Sequence, residues 1–277
     1  MAKGAYQIGV INALSEYFSQ GQIKAISAAS VGVLNGYAFA AGKMDAAEAL
    51  WREIHSSQKT SGSFITSMLR SDYLQEAIGR IASEEDTLSP SLFTTLLNVS
   101  SLGVEYVDIK KVPPSSRVDY LRASVAMPGF NRSVLLNEQK YFDGAMIDNI
   151  PVHPFIQKKL DYIICVHFDA FNYTFESEYL NSRILKITFP ADHIVRNSVF
   201  FREDSIRYMI QTGYQNSKIL FDSVFSGGTE DVEGIYKSIA RLNHSSGPPS
   251  LRITGDVVVN NLNKVTRRIA RRKKIYD

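Results

Sequence analysis

One cysteine, Cys165, stands in a chain of 277 residues, so no intramolecular disulfide can form and a reducing, cytoplasmic compartment is expected. The five histidines are scattered with no C-x-x-C or H-E-x-x-H spacing, and neither a metal nor an organic cofactor is expected. No run reaches the roughly 18 to 20 apolar residues of a membrane span. The longest candidate, Val31 to Ala41, is broken by Asn35 and Gly36. Lys3 ahead of Ala5 to Leu14 imitates a secretion signal, but Gln7, Asn12 and the want of a small-residue cleavage site argue against one. Repeats and low-complexity blocks are lacking too. What is present, 44% apolar and 21% charged residues with nine prolines, is the composition of a globular protein and excludes disorder, collagen and coiled coil.

Net charge is only +3, but it is unevenly placed: Arg267, Arg268, Arg271, Arg272, Lys273 and Lys274 crowd the last stretch against the single acid Asp277. Leu262, Val265 and Ile269 fall on one face of a helix there, leaving the basic residues on the others. A solvated terminal helix is the plain reading. The functional one is peripheral contact with an anionic membrane, and nucleic acid is not expected as a partner.

Periodicity predicts a helix over Ala5 to Ser19 closed by Gly21, a short strand over Ile23 to Ala28, and helices over Val33 to Ala41, Ala46 to Ile54 and Ser71 to Ile81. Next come a strand at Val104 to Ile109, a short helix at Val118 to Ser124, and a hairpin whose arms are Ser133 to Leu136 and Lys140 to Phe142. A helix at His153 to Lys159, buried strands at Asp161 to Phe168 and Ile184 to Thr188, and helices at Asp204 to Val224 and Asp231 to Leu242 complete the reading. The order is that of an α/β protein, with a main domain over 1–190 and a helical C-terminal region over 191–277.

Two short motifs carry chemistry. Ala28-Ala29-Ser30-Val31-Gly32 sits where the strand turns into the helix, and small flanking residues would leave the serine hydroxyl exposed beside a helix N-terminus, whose amides favour developing negative charge. Asp143-Gly144-Ala145 ends the second hairpin arm, where a small residue after the aspartate leaves its carboxylate unscreened; alone, the dipeptide also reads as a common turn. Lys3-Gly4 opens the first helix and suits an anion or oxyanion cradle, or an ordinary N-terminal arm. A Ser-His-Asp triad stays open, since His153, His167, His193 and His244 all follow Asp143. Cys165, mid-strand, reads as core. Asp148 and Asn149 read as turn and cap residues, and Phe171, Tyr173, Phe175 and Tyr179 as aromatics packed on the core or walling an acyl channel.

In this order, with Ala123-Ser124-Val125-Ala126-Met127-Pro128 between them, the segments resemble the patatin-like phospholipases over residues 1–151. The resemblance implies a three-layer α/β/α fold with a mostly parallel central sheet, and a lipid acyl hydrolase acting on phospholipid or lysophospholipid esters. It makes Ser30 the nucleophile and Asp143 its base, without histidine. It also places backbone amides near Lys3, Gly4 and Val31 at the oxyanion site, with Ala28, Gly32, Gly144 and Ala145 as motif positions. Two departures stand out. Ala28 occupies a position that is usually glycine, and only the end of the family's glycine-rich loop aligns, Met1 on its third glycine, Lys3 on its basic position and Gly4 on its last glycine. The expectation is either that Met1 is internal to a longer protein, or that this relative binds lipid or membrane without catalysis, or that the Met1 amine lends charge to the oxyanion site.

Overall fold

The computed structural model describes residues 3–53, 72–129, 131–156, 158–167, 173–175, 182–188, 203–245 and 250–252. The basic tail, His193, Phe171 and Tyr179 lie outside these, as do the side chains of Lys3, Tyr173, Phe175 and His244. Among the described residues no helix is long and apolar enough to cross a membrane, and no cluster of three metal-ligating side chains occurs.

The fold is α/β. In chain order the elements are α1 (Lys3–Leu14), β1 (Ala25–Ala28), α2 (Gly32–Ala40), α3 (Met44–Glu53) and α4 (Asp72–Ile81). They continue with β2 (Ser91–Asn98), β3 (Gly103–Asp108), α5 (Pro114–Ala123), β4 (Val134–Leu136), β5 (Gln139–Asp143), β6 (Ile163–His167), β7 (Tyr173–Phe175) and β8 (Ile184–Thr188). The last are α6 (Glu203–Val224), α7 (Val232–Ser245) and β9 (Ser250–Arg252). The predicted helix from residue 118 begins earlier, at Pro114, because a proline costs nothing in the first turn. The helix predicted after His153 is a single 3-10 turn, His153–Phe155.

The sheet is mixed. β1 pairs parallel with β2, β6 with β8 and β7 with β9, while β3 and β5 run antiparallel to β2 and β4 antiparallel to β5. β2, at its centre, has no counterpart in the sequence reading. Its register decides where the chemistry can be. β3 covers Phe93 to Asn98 of β2, so β1, on Ser91 to Thr94, and β5, on Leu96 to Asn98, must share the other edge. They enter that edge from opposite ends, and their C-terminal ends meet at Thr95.

One core cluster joins α1 to α6 and α7. α1 is buried almost all round through Ala5, Tyr6, Ile8, Val10 and Ala13, and α6 lies across it with Ile206, Ile210 and Phe221. Two glycines allow the approach. A Cβ on Gly9 would stand 1.9 Å from the Ile210 carbonyl oxygen, and one on Gly213 would stand 2.4 Å from the Tyr6 carbonyl oxygen. Backbone cannot rotate away, so Gly9→Ala is expected to lower the unfolding free energy by about 1–3 kcal/mol, read from urea melts, as overpacking at helix contacts does.

Between β1 and β6 lies a cavity of about 540 Å³. Residues 24–29 and 162–166 line it, together with Leu14, Phe18, Phe39, Val152 and Phe155.

Candidate active site

Ser30 lies two residues past β1 with φ at 54°, in the left-handed region that L residues other than asparagine and aspartate seldom adopt. α2 starts immediately afterwards, with Val31 as its N-cap, and the Gly32 and Val33 amides donate to the carbonyls of Ala29 and Ser30. The chain thus reverses from strand to helix on one strained residue, leaving Ser30 half-buried rather than sealed in.

Asp143 ends β5 opposite Leu96, and Ala28 ends β1 opposite Thr94. Paired residues share a face, so Asp143, Leu96, Thr94 and Ala28 all point to the side on which α2 packs. That side is fixed by Gly36 of α2, where a Cβ would meet Leu92 at 2.9 Å and Ile26 at 3.2 Å. Asp143 is therefore delivered to the turn that holds Ser30 by strand register.

The carboxyl is wholly buried. Its Oδ1 accepts the Ala145 N–H at 2.9 Å, and its own N–H donates to the Ala126 carbonyl at 2.8 Å, which ties the Ala123-to-Pro128 segment to the same spot. Burial pushes its pKa up to about 6 from 3.8, against the smaller lowering effects of the Ser30 side chain and the Ala145 amide. The Ser30 side chain acts on the carboxyl, while among the described residues Oδ2 has no hydrogen-bond partner. Among the described residues the fully buried Thr94 hydroxyl on the same face is likewise unpaired.

No histidine figures among the groups that set the acidity of Asp143. His153 stacks on Tyr106 with ring centroids 5.0 Å apart, and His167 is buried at the end of β6. Cys165 is buried among Ile150, Val152 and Phe155, as core. Asp148 is buried too, where Oδ1 accepts the Ile150 N–H and Oδ2 the Tyr106 hydroxyl at 2.8 Å, holding the turn after Asp143.

The small residues divide by cause. A Cβ at Gly144 would meet the Thr95 side chain at 2.6 Å and its backbone carbon at 2.8 Å, so glycine is needed there for contact with β2. At Gly32 an added Cβ would meet nothing nearer than Gln7, at 3.6 Å, and the Ala28 methyl, at 3.7 Å. The turn at Ser30 therefore tolerates a methyl on each side, which explains why Ala28 fits. Gly144→Ala is expected to cost about 1–3 kcal/mol and to displace Asp143, whereas Gly32→Ala should change stability by less than about 1 kcal/mol. Thermal melts of the two variants side by side check the contrast.

Gly4 begins the first turn of α1, where the earliest helix amides have no partner within the helix. A Cβ on it would stand 2.2 Å from the Trp51 ring. Asn35 fixes that turn from α2: its Nδ2 donates to the Gly4 carbonyl at 2.9 Å and to Gln7 Oε1 at 3.0 Å, while its Oδ1 accepts the Trp51 Nε1–H at 2.8 Å. Asn35 is buried at a helix position where the sequence alone suggests only an interruption of an apolar run.

A model of the patatin-like phospholipase family matches residues 1–156, more than half of the chain. The chain belongs to that family. Its match spans α1 through the turn after β5, the stretch that brings Ser30, Asp143 and the Gly4 turn together, and membership makes it a relative of lipid acyl hydrolases. No curated protein matches the patatin-like chain.

Proposed function

We propose that this patatin-like chain hydrolyses carboxylic esters of phospholipids or lysophospholipids through Ser30 and Asp143. The observation that carries this reading is a serine at positive φ acting on a buried carboxyl whose pKa is about 6. Above that pH the carboxylate is ionised in a site with no competing cation described on it, and it takes the Ser30 proton as Oγ attacks the ester carbonyl carbon. The carbonyl oxygen becomes an oxyanion, for which the Val31 amide and the first-turn amides of α1 near Lys3 and Gly4 are the donors available. Collapse of the tetrahedral intermediate breaks the ester bond; Asp143 returns its proton to the departing alcohol and the acyl group remains on Ser30. Asp143 then takes a proton from water, hydroxide adds to the acyl carbon, and the fatty acid leaves as Oγ is reprotonated.

A fluorophosphonate probe tests the nucleophile directly. Intact-mass spectrometry is expected to find one covalent adduct, lost in Ser30→Ala and slowed in Asp143→Asn, with labelling faster at pH 8 than at pH 5. Unlabelled protein under these conditions would leave a lipid-binding relative without catalysis as the reading.

A further inference from the structure

Thr94 is wholly buried in the middle of β2, yet its hydroxyl has no hydrogen-bond partner among the described residues. Buried hydroxyls are nearly always paired, because stripping one of water without a replacement bond is unfavourable. The flanks of Thr94 are apolar. Leu92 and Leu96 lie along β2 on the same face, Ala28 stands opposite on β1 and Val107 opposite on β3. Across from Leu96, Oδ2 of Asp143 is in the same condition, wholly buried and without a partner among the described residues.

The register makes Thr94 and Asp143 diagonal neighbours on one face of β2, which places their Cα atoms about 7–8 Å apart and their side chains closer. Gly144, pressed on the Thr95 backbone, holds the end of β5 against this part of β2. The span suits one water, which finds its two polar partners by accepting from the Thr94 hydroxyl and donating to Oδ2. Ala28, opposite Thr94, stands two residues before Ser30, so the strand and the serine turn approach the carboxyl from adjoining sides. We infer that Thr94 is a positioning residue of this site: its hydroxyl, through one buried water, hydrogen-bonds Oδ2 of Asp143 and holds the ionised carboxylate toward Ser30. The inference deepens the proposed Ser30 and Asp143 site and rests on that reading for its catalytic sense alone. Such a bond favours the ionised carboxyl, against the burial that disfavours it. Among the described residues, the ionisable side chains facing this region from packed elements are bonded elsewhere. Tyr141 of β5 donates to Glu105 of β3, Tyr120 of α5 accepts from Asn137, and Tyr37 of α2 donates to Asp86. None of them figures among the groups that set the acidity of Asp143.

Thr94→Val keeps the side-chain shape and removes the hydroxyl, whereas Thr94→Ser keeps the hydroxyl. Fluorophosphonate labelling of the full chain, followed by intact mass from pH 5 to pH 9, is expected to rise through about 6 in the parent. In Thr94→Val the midpoint should move up by about one pH unit, a fall of about tenfold in rate at pH 5, and Thr94→Ser should restore it. Urea melts supply a reading that needs no catalysis. The extra cost of ionising Asp143 is absent while the folded carboxyl stays protonated and complete once pH exceeds its folded value. Thr94→Val should therefore reduce the folding constant about tenfold more at pH 8 than at pH 4, and the difference should vanish in an Asp143→Asn background. Several outcomes overturn the inference: a labelling plateau that falls with its midpoint unmoved, an equal effect on the melts at both pH values, or a pH-dependent effect that survives in Asp143→Asn. A valine variant that fails to fold does so too, as does one that melts later than the parent at both pH values, the behaviour of an idle hydroxyl. An unlabelled parent whose melts behave as expected overturns the hydrolase reading and leaves the link between Thr94 and Asp143 in place.

Discussion

Replacing Asp143 with asparagine is expected to remove ester hydrolysis while making the protein more stable at neutral pH. Loss of a positioned general base costs about 10²- to 10⁴-fold in rate. The stability change has the opposite sign because the carboxyl is raised from 3.8 to about 6 by burial. The folded state then holds the Asp143 proton more tightly than the unfolded chain does. This contribution is fully present below the unfolded value and is lost as pH rises through about 6, leaving an ionised, buried carboxylate that costs about 3 kcal/mol at neutral pH. Asparagine carries no charge at any of these pH values and retains an oxygen for the Ala145 N–H. Urea melts should therefore place Asp143→Asn above the parent at pH 8, by up to about 3 kcal/mol, and close to it at pH 4. The parent's kcat/KM should rise with pH through about 6 as the base ionises. A variant destabilised equally at both pH values would mean that Asp143 is a structural acceptor and not a strained base.

The two residues of the proposed pair stand out in the sequence, but the reason they meet does not. Ser30 announces itself by the small residues around it at a strand-to-helix change, and Asp143 by its place after a hairpin arm. β2, which sets their meeting point, escapes because its stretch Ser91–Asn98 is buried on both faces over Thr94, Thr95 and Leu96 and so lacks the alternation that marks a half-exposed strand. Two threonines amid it look like loop polarity. The roles of the glycines were assigned by motif rather than by contact. Gly144 is held by Thr95 of that same unrecognised strand, while Gly32 has room, and Gly9 and Gly213 matter only because α1 and α6, about two hundred residues apart, press together. Asn35 and Trp51 show the same limit, since a buried amide that bridges two helices is invisible until both are placed.

Ser30 offers the sharpest separation of function from fold. Its backbone at φ 54° costs an L residue about 1–2 kcal/mol, which glycine does not pay. Ser30→Ala keeps that strain and removes the hydroxyl proposed as nucleophile; Ser30→Gly removes both. Hydrolysis and fluorophosphonate labelling should fall to background in each, a loss of about 10³-fold or more. Their stabilities should part. Glycine gains the relief of strain but also loosens the unfolded chain, by about 0.5–1 kcal/mol, so the net advantage of Ser30→Gly over Ser30→Ala is about 0.5–1 kcal/mol. Equal melting of the two would mean that the left-handed turn at Ser30 is not held in solution. The predicted ordering, with glycine above alanine and both inactive, would show that the fold tolerates a serine there at an energetic loss. Strain of this kind persists where the surrounding structure imposes it, and here β1 and α2 impose it on the residue that faces Asp143.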